Sequence, residues 1–363
     1  MTEPRVTLIT VDYPPARGGV ARYLYELVKA SNGAIRVVVP EHHPAADLEG
    51  VDSVRMVGSV WPKWWPMIGV SRREGKRAKV LLVSHVFPVG TAAWISKIFG
   101  GPEYVVVLHG LDVRMAHGAW KLWLLGRVCR AAKTVVVNSE STRRDILARV
   151  AGLSTVVLTP GVEDVSYPTR EEARGRLGID RDTELVVSVA RLVPRKGIDF
   201  SLRAISRLQS TRTVMYVVVG DGSDAERLEE VAREARTRVT WVRNADEEEK
   251  RCWLAAADIF LLPVREDETD VEGFGIVYLE AALAGIPAIA GRSGGAGEAV
   301  THEKTGLLIN PNRIDEMSVA ITRLLDNEEE RAQMGSAAKE RALRDFQWEE
   351  RWGKLAQILN IQP

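Results

Sequence analysis

Short apolar runs rich in β-branched residues recur along this chain, and between them the apolar residues fall three and four apart, the spacing of an amphipathic helix. The first series comprises Arg5–Val11, Ile35–Val39, Ser53–Val57, Val80–Ser84, Tyr104–Leu108, Thr134–Val137 and Thr155–Leu158. A second comprises Leu185–Ala190, Tyr216–Val219, Val239–Val242, Asp258–Pro263, Ile286–Ala290 and Thr305–Pro311. Runs of this continuity predict parallel strands buried on both faces and covered by helices. Helices are expected at Val20–Ala30, from a cap at Asn138-Ser139 through Val150, at Arg170–Leu177, Ile198–Leu208 and Asp224–Ala235, up to Ala257, and at Ile276–Ala284, Ile314–Leu325, Glu328–Arg344 and Phe346–Leu359.

The two series are parted by the charged segment from Gly161 to Asp182, which contains Pro168. The pattern therefore reads as two Rossmann-like doubly wound α/β domains, 1–168 and 169–343, followed by a terminal helical piece, 344–363. A chain of 363 residues is long for one domain and suits two. Lys plus Arg and Asp plus Glu number 49 each, and this balance argues against a protein built to hold nucleic acid. Cys129 and Cys252 lie far apart within helical patterns, so neither a disulfide framework nor a thiolate metal site is expected, and a reducing cytoplasm fits. The amino-terminal stretch lacks a signal-peptide pattern, and no 18 apolar residues run together, so neither secretion nor membrane spanning is expected.

Candidate chemistry collects where strands end. The stretch Asp270-Val-Glu-Gly-Phe-Gly-Ile-Val-Tyr-Leu-Glu280 is a loop entering a helix, with Glu272 in the loop and Glu280 one to two turns inside. Such carboxylates can take the hydroxyls of a sugar ring and of a ribose. The backbone of Gly273, Phe274, Gly275, Ile276 and Val277 would attract a diphosphate between them through helix-start N–H groups. Arg191 and Lys196 lie in a basic loop after a strand and can both point at one anion. Gly18-Gly19 opens the first helix, Gly220 closes a strand, and His109 follows another at the carboxyl end, where such sheets bind ligands. The glycine spacing at residues 18–19 does not match the dinucleotide fingerprint, which lowers the case for a nicotinamide cofactor. Asp180-Arg-Asp182 precedes a strand and reads as a turn rather than a metal site.

Glu272-x7-Glu280, with Arg191, Lys196, His109 and the wording Ala290-Gly-Arg-Ser-Gly-Gly-Ala296, resembles the family-4 retaining glycosyltransferases of GT-B fold, most closely the phosphatidylinositol mannosyltransferase B group. The resemblance runs over nearly the whole chain. It implies two domains facing a cleft, with acceptor on the first and nucleotide-sugar donor mainly on the second, and a terminal helix returning to the first. By the same resemblance Arg191 and Lys196 clamp the departing diphosphate, and His109 contacts the sugar. Gly18 and Gly19 border the diphosphate and acceptor, Gly220 lies near the nucleotide, and the loop holding Asn244 borders the base. That loop departs from the family pattern, with Arg243-Asn244 where a glycine normally follows the strand, and this opens the question of nucleotide preference.

The activity so implied is metal-independent, retaining transfer of a hexose, with mannose from GDP-mannose the leading donor and a lipid-linked or polysaccharide hydroxyl the acceptor, and with no cofactor. A UDP-sugar-dependent transferase, a nucleotide-sugar 2-epimerase and a non-catalytic sugar-nucleotide binder remain as alternatives. One surface feature adds a partner: Trp61-Pro-Lys-Trp-Trp-Pro66 precedes Arg72, Arg73, Lys76, Arg77 and Lys79. Tryptophans beside cations suit the face of an anionic membrane, so peripheral docking through Trp61–Lys79 is expected if these tryptophans are not simply packed under the first sheet.

Overall fold

The computed structural model describes residues 6–16, 18–48, 50–59, 61–162, 165–266 and 271–361. Arg5 of the first apolar run, Arg17 before the first helix, and Asp270 at the start of the stretch leading to Glu280 lie outside the described residues. The chain divides into two compact units, Met1–Glu163 with Gln347–Pro363, and Asp164–Phe346.

The first unit contains β1 (Val6–Ile9), β2 (Ile35–Pro40), β3 (Val51–Val54), β4 (Val80–Val83), β5 (Tyr104–Leu108), β6 (Thr134–Val137) and β7 (Thr155–Val157). They form a seven-stranded sheet in the order β3-β2-β1-β4-β5-β6-β7 with parallel pairing throughout. Its helices are α1 (Gly19–Ala30), α2 (Pro66–Glu74), α3 (Thr91–Ile98), the single turn α4 (Leu111–Arg114), α5 (Ala119–Ala131) and α6 (Glu140–Arg149). Central strands are buried end to end, as their unbroken apolar runs require: every residue of β4 and β5 is buried. The expected strand Ser53–Val57 forms instead at Val51–Val54, an edge position where Asp52 is held by Arg36. Half-buried polar residues are tolerated there because one face meets water.

In the second unit α7 (Arg170–Leu177) leads into β8 (Glu184–Val189), α8 (Ile198–Gln209), β9 (Val214–Val219), α9 (Ala225–Glu234), β10 (Val239–Val242), α10 (Glu247–Ala256), β11 (Ile259–Leu262), α11 (Ile276–Leu283), β12 (Ala288–Gly291), α12 (Ala296–Ala299), β13 (Gly306–Ile309), α13 (Ile314–Asp326) and α14 (Glu328–Asp345). The six strands run parallel in the order β10-β9-β8-β11-β12-β13. The order reverses between β8 and β11, so the loops leaving these two strands diverge and open a crevice at the carboxyl edge. Buried Asp258, just before β11, fastens α7 to this sheet: it accepts from Arg170 at 2.6 Å, Arg174 at 3.1 Å and the Leu185 N–H at 2.8 Å.

The last helix, α15 (Trp348–Leu359), belongs to the first unit. Its Trp348 ring lies edge-on to Tyr23 of α1, 5.4 Å between centroids, and buried Arg351 donates to the Thr159 hydroxyl at 3.0 Å. Both terminal tryptophans, Trp348 and Trp352, are buried. Cys129 and Cys252 are buried free thiols.

Candidate functional site

The reversal between β8 and β11 places two loops of opposite charge together. After β8 the chain passes exposed Arg191, then a single turn at Pro194–Lys196. After β11 it reaches Glu272. The Glu272 carboxylate, 8% exposed, accepts from Arg195 Nη1 at 2.6 Å and from Lys196 Nζ, both on the one oxygen Oε2. Burial alone would raise the Glu272 pKa, but the two cations outweigh it and hold the carboxyl down to about 2. Burial also lowers the Lys196 pKa, against the pull of Glu272 and with the push of Arg195 and Arg191. Arg191 has no hydrogen bond or ion pair among the described residues, although its charge reaches Lys196. An uncommitted guanidinium thus stands beside a committed pair. Of the two cations expected to face one anion, Lys196 contacts the Glu272 carboxylate, and Arg191 is left open among the described residues.

The loop at Glu272 is braced from behind. Gly295 N–H donates to Glu272 O at 2.9 Å, and a Cβ on Gly295 would lie 2.2 Å from Gly273 O, so the loops after β11 and β12 touch through backbone. Gly275 has φ +88°, and a Cβ there would meet the Tyr278 ring at 2.6 Å, so glycine is required by both conformation and space. Tyr278 in turn donates to Leu262 O at 2.7 Å. The sharp turn at Gly275 starts α11, and the Ile276 and Val277 N–H groups have no backbone acceptor among the described residues. The Phe274 side chain is buried, its ring 5.7 Å from Phe346, which leaves its backbone for a ligand, as expected of this loop.

Glu280 sits on α11 with its Oε1 3.0 Å from Lys250 Nζ of α10, and Lys250 also holds Glu247 at 2.7 Å. Asn244 is exposed with φ +57°, a left-handed conformation that asparagine tolerates better than most residues. The departure from glycine therefore leaves the backbone course intact. Gly220 is needed for packing, since a Cβ there would fall 2.0 Å from Ala190 O. Gly18 and Gly19 are the reverse case: exposed, with nothing within 4 Å of an added Cβ, so no packing demand explains them.

In the first unit His109 follows β5. Its ring is edge-on to Tyr23 at 5.3 Å and tilted to His85 at 6.0 Å, and its buried Nε2 has no partner among the described residues. Burial, then the neighbouring His85, lower its pKa to about 3, so the imidazole is neutral at physiological pH. What it offers is a neutral hydrogen-bonding edge.

Arg195 and Lys250 had no role in the sequence reading. Arg195 had a signal, being next to Lys196 in the same basic loop. Lys250 had none, because its partner lies 30 residues away on another helix. Among the described residues no cluster of three His, Cys, Asp or Glu could hold a metal ion.

Comparison with known proteins places these features. Residues 17–166 match the family described as Glycosyltransferase Family 4, and residues 169–341 match Glycosyl transferases group 1. The chain is 31% identical, over 97% of both chains, to a GDP-mannose-dependent alpha-(1-6)-phosphatidylinositol monomannoside mannosyltransferase of Mycolicibacterium smegmatis. It is 28% identical, over 100% of both, to the corresponding monoacylated-substrate enzyme of Corynebacterium glutamicum. Among solved structures it resembles Anabaena Alr3699/HepE in complex with UDP, with TM-score 0.84, 20% identity and coverage of 98% of this chain and 99% of that one. WaaG, a glycosyltransferase of lipopolysaccharide biosynthesis, gives TM-score 0.75 at 18% identity, covering 98% and 99%. With two parallel-sheet units of GT-B type and near-full-length relatives of known class, the chain belongs to the family-4 glycosyltransferases and is a hexosyltransferase.

Proposed function

We propose that the protein transfers mannose from GDP-mannose, with retention of configuration and without a metal, to a hydroxyl of a glycolipid acceptor. The observation that carries this is uncommitted Arg191 beside the Lys196–Arg195–Glu272 cluster at the carboxyl edge of the second sheet. A diphosphate arriving there gives Arg191 its counterion and gives Lys196 and Arg195 a second anionic partner. As the glycosidic bond breaks, charge grows on the diphosphate, and these cations with the open N–H groups of α11 stabilise it. The acceptor hydroxyl then attacks from the same face and passes its proton to the departing diphosphate. Glu272 orients the hexose and Glu280 the ribose, and the neutral imidazole of His109 is reserved for a sugar hydroxyl. The mannose and glycolipid assignments rest on the relatives' printed activities, and UDP-sugar use is the second reading, supported by the UDP complex of a neighbour of like fold.

Thermal-shift titration with GDP-mannose and UDP-glucose, followed by transfer to phosphatidylinositol monomannoside in EDTA, tests this. GDP-mannose should stabilise more, and transfer should persist. A larger shift with UDP-glucose overturns the donor, and loss of transfer in EDTA restored by magnesium overturns metal independence.

Access to a lipid acceptor has a surface to match. Trp61 and Trp65 are 87% and 64% exposed, whereas Trp64 packs on the core, and Arg73 and Arg77 are held by Glu74. Docking on an anionic membrane would therefore use Trp61, Trp65, Arg72, Lys76 and Lys79. No helix among the described residues is long and apolar enough to cross a membrane.

A further inference from the structure

Asp112 lies in the single turn after His109 and is 7% exposed. Its carboxylate serves two neighbouring loops at once. Oδ1 accepts from the Val86 N–H at 3.3 Å, in the loop after β4, and Oδ2 accepts from the His109 N–H at 3.2 Å, in the loop after β5. Val86 follows His85 directly, so one side chain fixes the backbone that carries both imidazoles. The opposite side of His109 is fixed as well: Asn138 Nδ2 donates to His109 O at 3.4 Å, and Asn138 Oδ1 accepts from the Thr142 hydroxyl at 2.9 Å. All this order surrounds a ring whose Nε2 finds no partner among the described residues. A buried polar atom without a partner is costly unless a ligand meets it.

We propose that Asp112 is a positioning residue: it locks the loops after β4 and β5 in register so that the unpartnered His109 Nε2 is held ready for a hydroxyl of the reacting sugar. The argument rests on the transferase reading for what meets Nε2, but the clamp itself does not. A carboxylate suits this place because both oxygens only accept. An amide of the same shape presents an NH2 to one of the two N–H donors, and one loop must move away. Desolvation raises the Asp112 pKa, and the nearby His85 and the two N–H donors oppose that rise.

The test uses Asp112→Asn in the full chain, alone and combined with His109→Gln. Misplacement of this kind costs up to about 100-fold in rate. Asp112→Asn should therefore lower kcat by about 10- to 100-fold with donor KM unchanged. In the His109→Gln background it should cost nothing further, because a residue acting through another is not additive with it. Imidazole 15N NMR of the unliganded protein should show the His109 and His85 signals displaced in Asp112→Asn. Undisplaced signals, or full additivity with His109→Gln, overturn the proposal. If no donor supports turnover in the wild type, the transferase reading fails, and the NMR comparison still decides the clamp.

Discussion

Glu272 and His109 are buried ionisable groups held in opposite ways, and acid separates them. An unfolded imidazole binds a proton from about pH 6.5 downwards and folded His109 only near 3, so between these values the unfolded state holds more protons and stability is lost as the pH drops. Folded Glu272 keeps its charge down to about 2 against an ordinary 4.5, so its contribution is complete above 4.5 and is lost as pH falls through that lower window. The first unit should soften before the second on acidification, and His109→Gln should flatten the early loss in a series of melting curves. Removing one member of a buried pair leaves the other charge unmatched, so Glu272→Gln should destabilise the second unit by about 3–5 kcal/mol, read as a fall in its own unfolding transition. Lys196 and Glu272 were legible as chemistry; Arg195 was not, and neither was the pairing among them. Lys196 and Glu272 lie 76 positions apart, and only the reversal of strand order brings them together.

Elements were legible where packing leaves no choice. Tyr104–Leu108 and Arg170–Leu177 form with the limits their patterns dictate, because an all-apolar strand and a helix with a capping box have sharp ends, and Thr134–Val137 and Val239–Val242 keep their expected limits as well. The edge strand slipped to Val51–Val54, and β12 begins at Ala288 rather than Ile286, since at those places hydrogen bonding to a neighbour, not local pattern, sets the limit. Contacts between helices were illegible for the same reason, Lys250 of α10 on Glu280 of α11 above all. If Glu280 grips the ribose, Lys250→Met and Glu280→Gln should each weaken GDP binding by calorimetry. Together they should weaken it by less than the sum, since contacting residues couple by roughly 0.5–3 kcal/mol. At α2, replacing Trp61 and Trp65 by serine should abolish sedimentation with anionic vesicles at low salt; unchanged binding would point to a soluble acceptor or to another surface.

On the scale of the whole molecule, the two sheets share a parallel design while the connectivity treats the units differently. The second unit is one unbroken stretch, Asp164–Phe346, whereas the first is closed only by Gln347–Pro363, whose α15 packs on α1 through Trp348 and Tyr23. Trp348→Ala should therefore lower the melting transition of the first unit by a few kcal/mol, about 3–5 for a buried tryptophan, and leave the second unchanged. During synthesis, when domains fold as units in the order they emerge, the interrupted unit is translated first yet cannot be completed until the other has passed through the ribosome. Its α1 surface stays uncovered for that interval. A nascent chain halted before Gln347 should thus be protease-sensitive in its first half and resistant in its second, the reverse of the order in which the two were made.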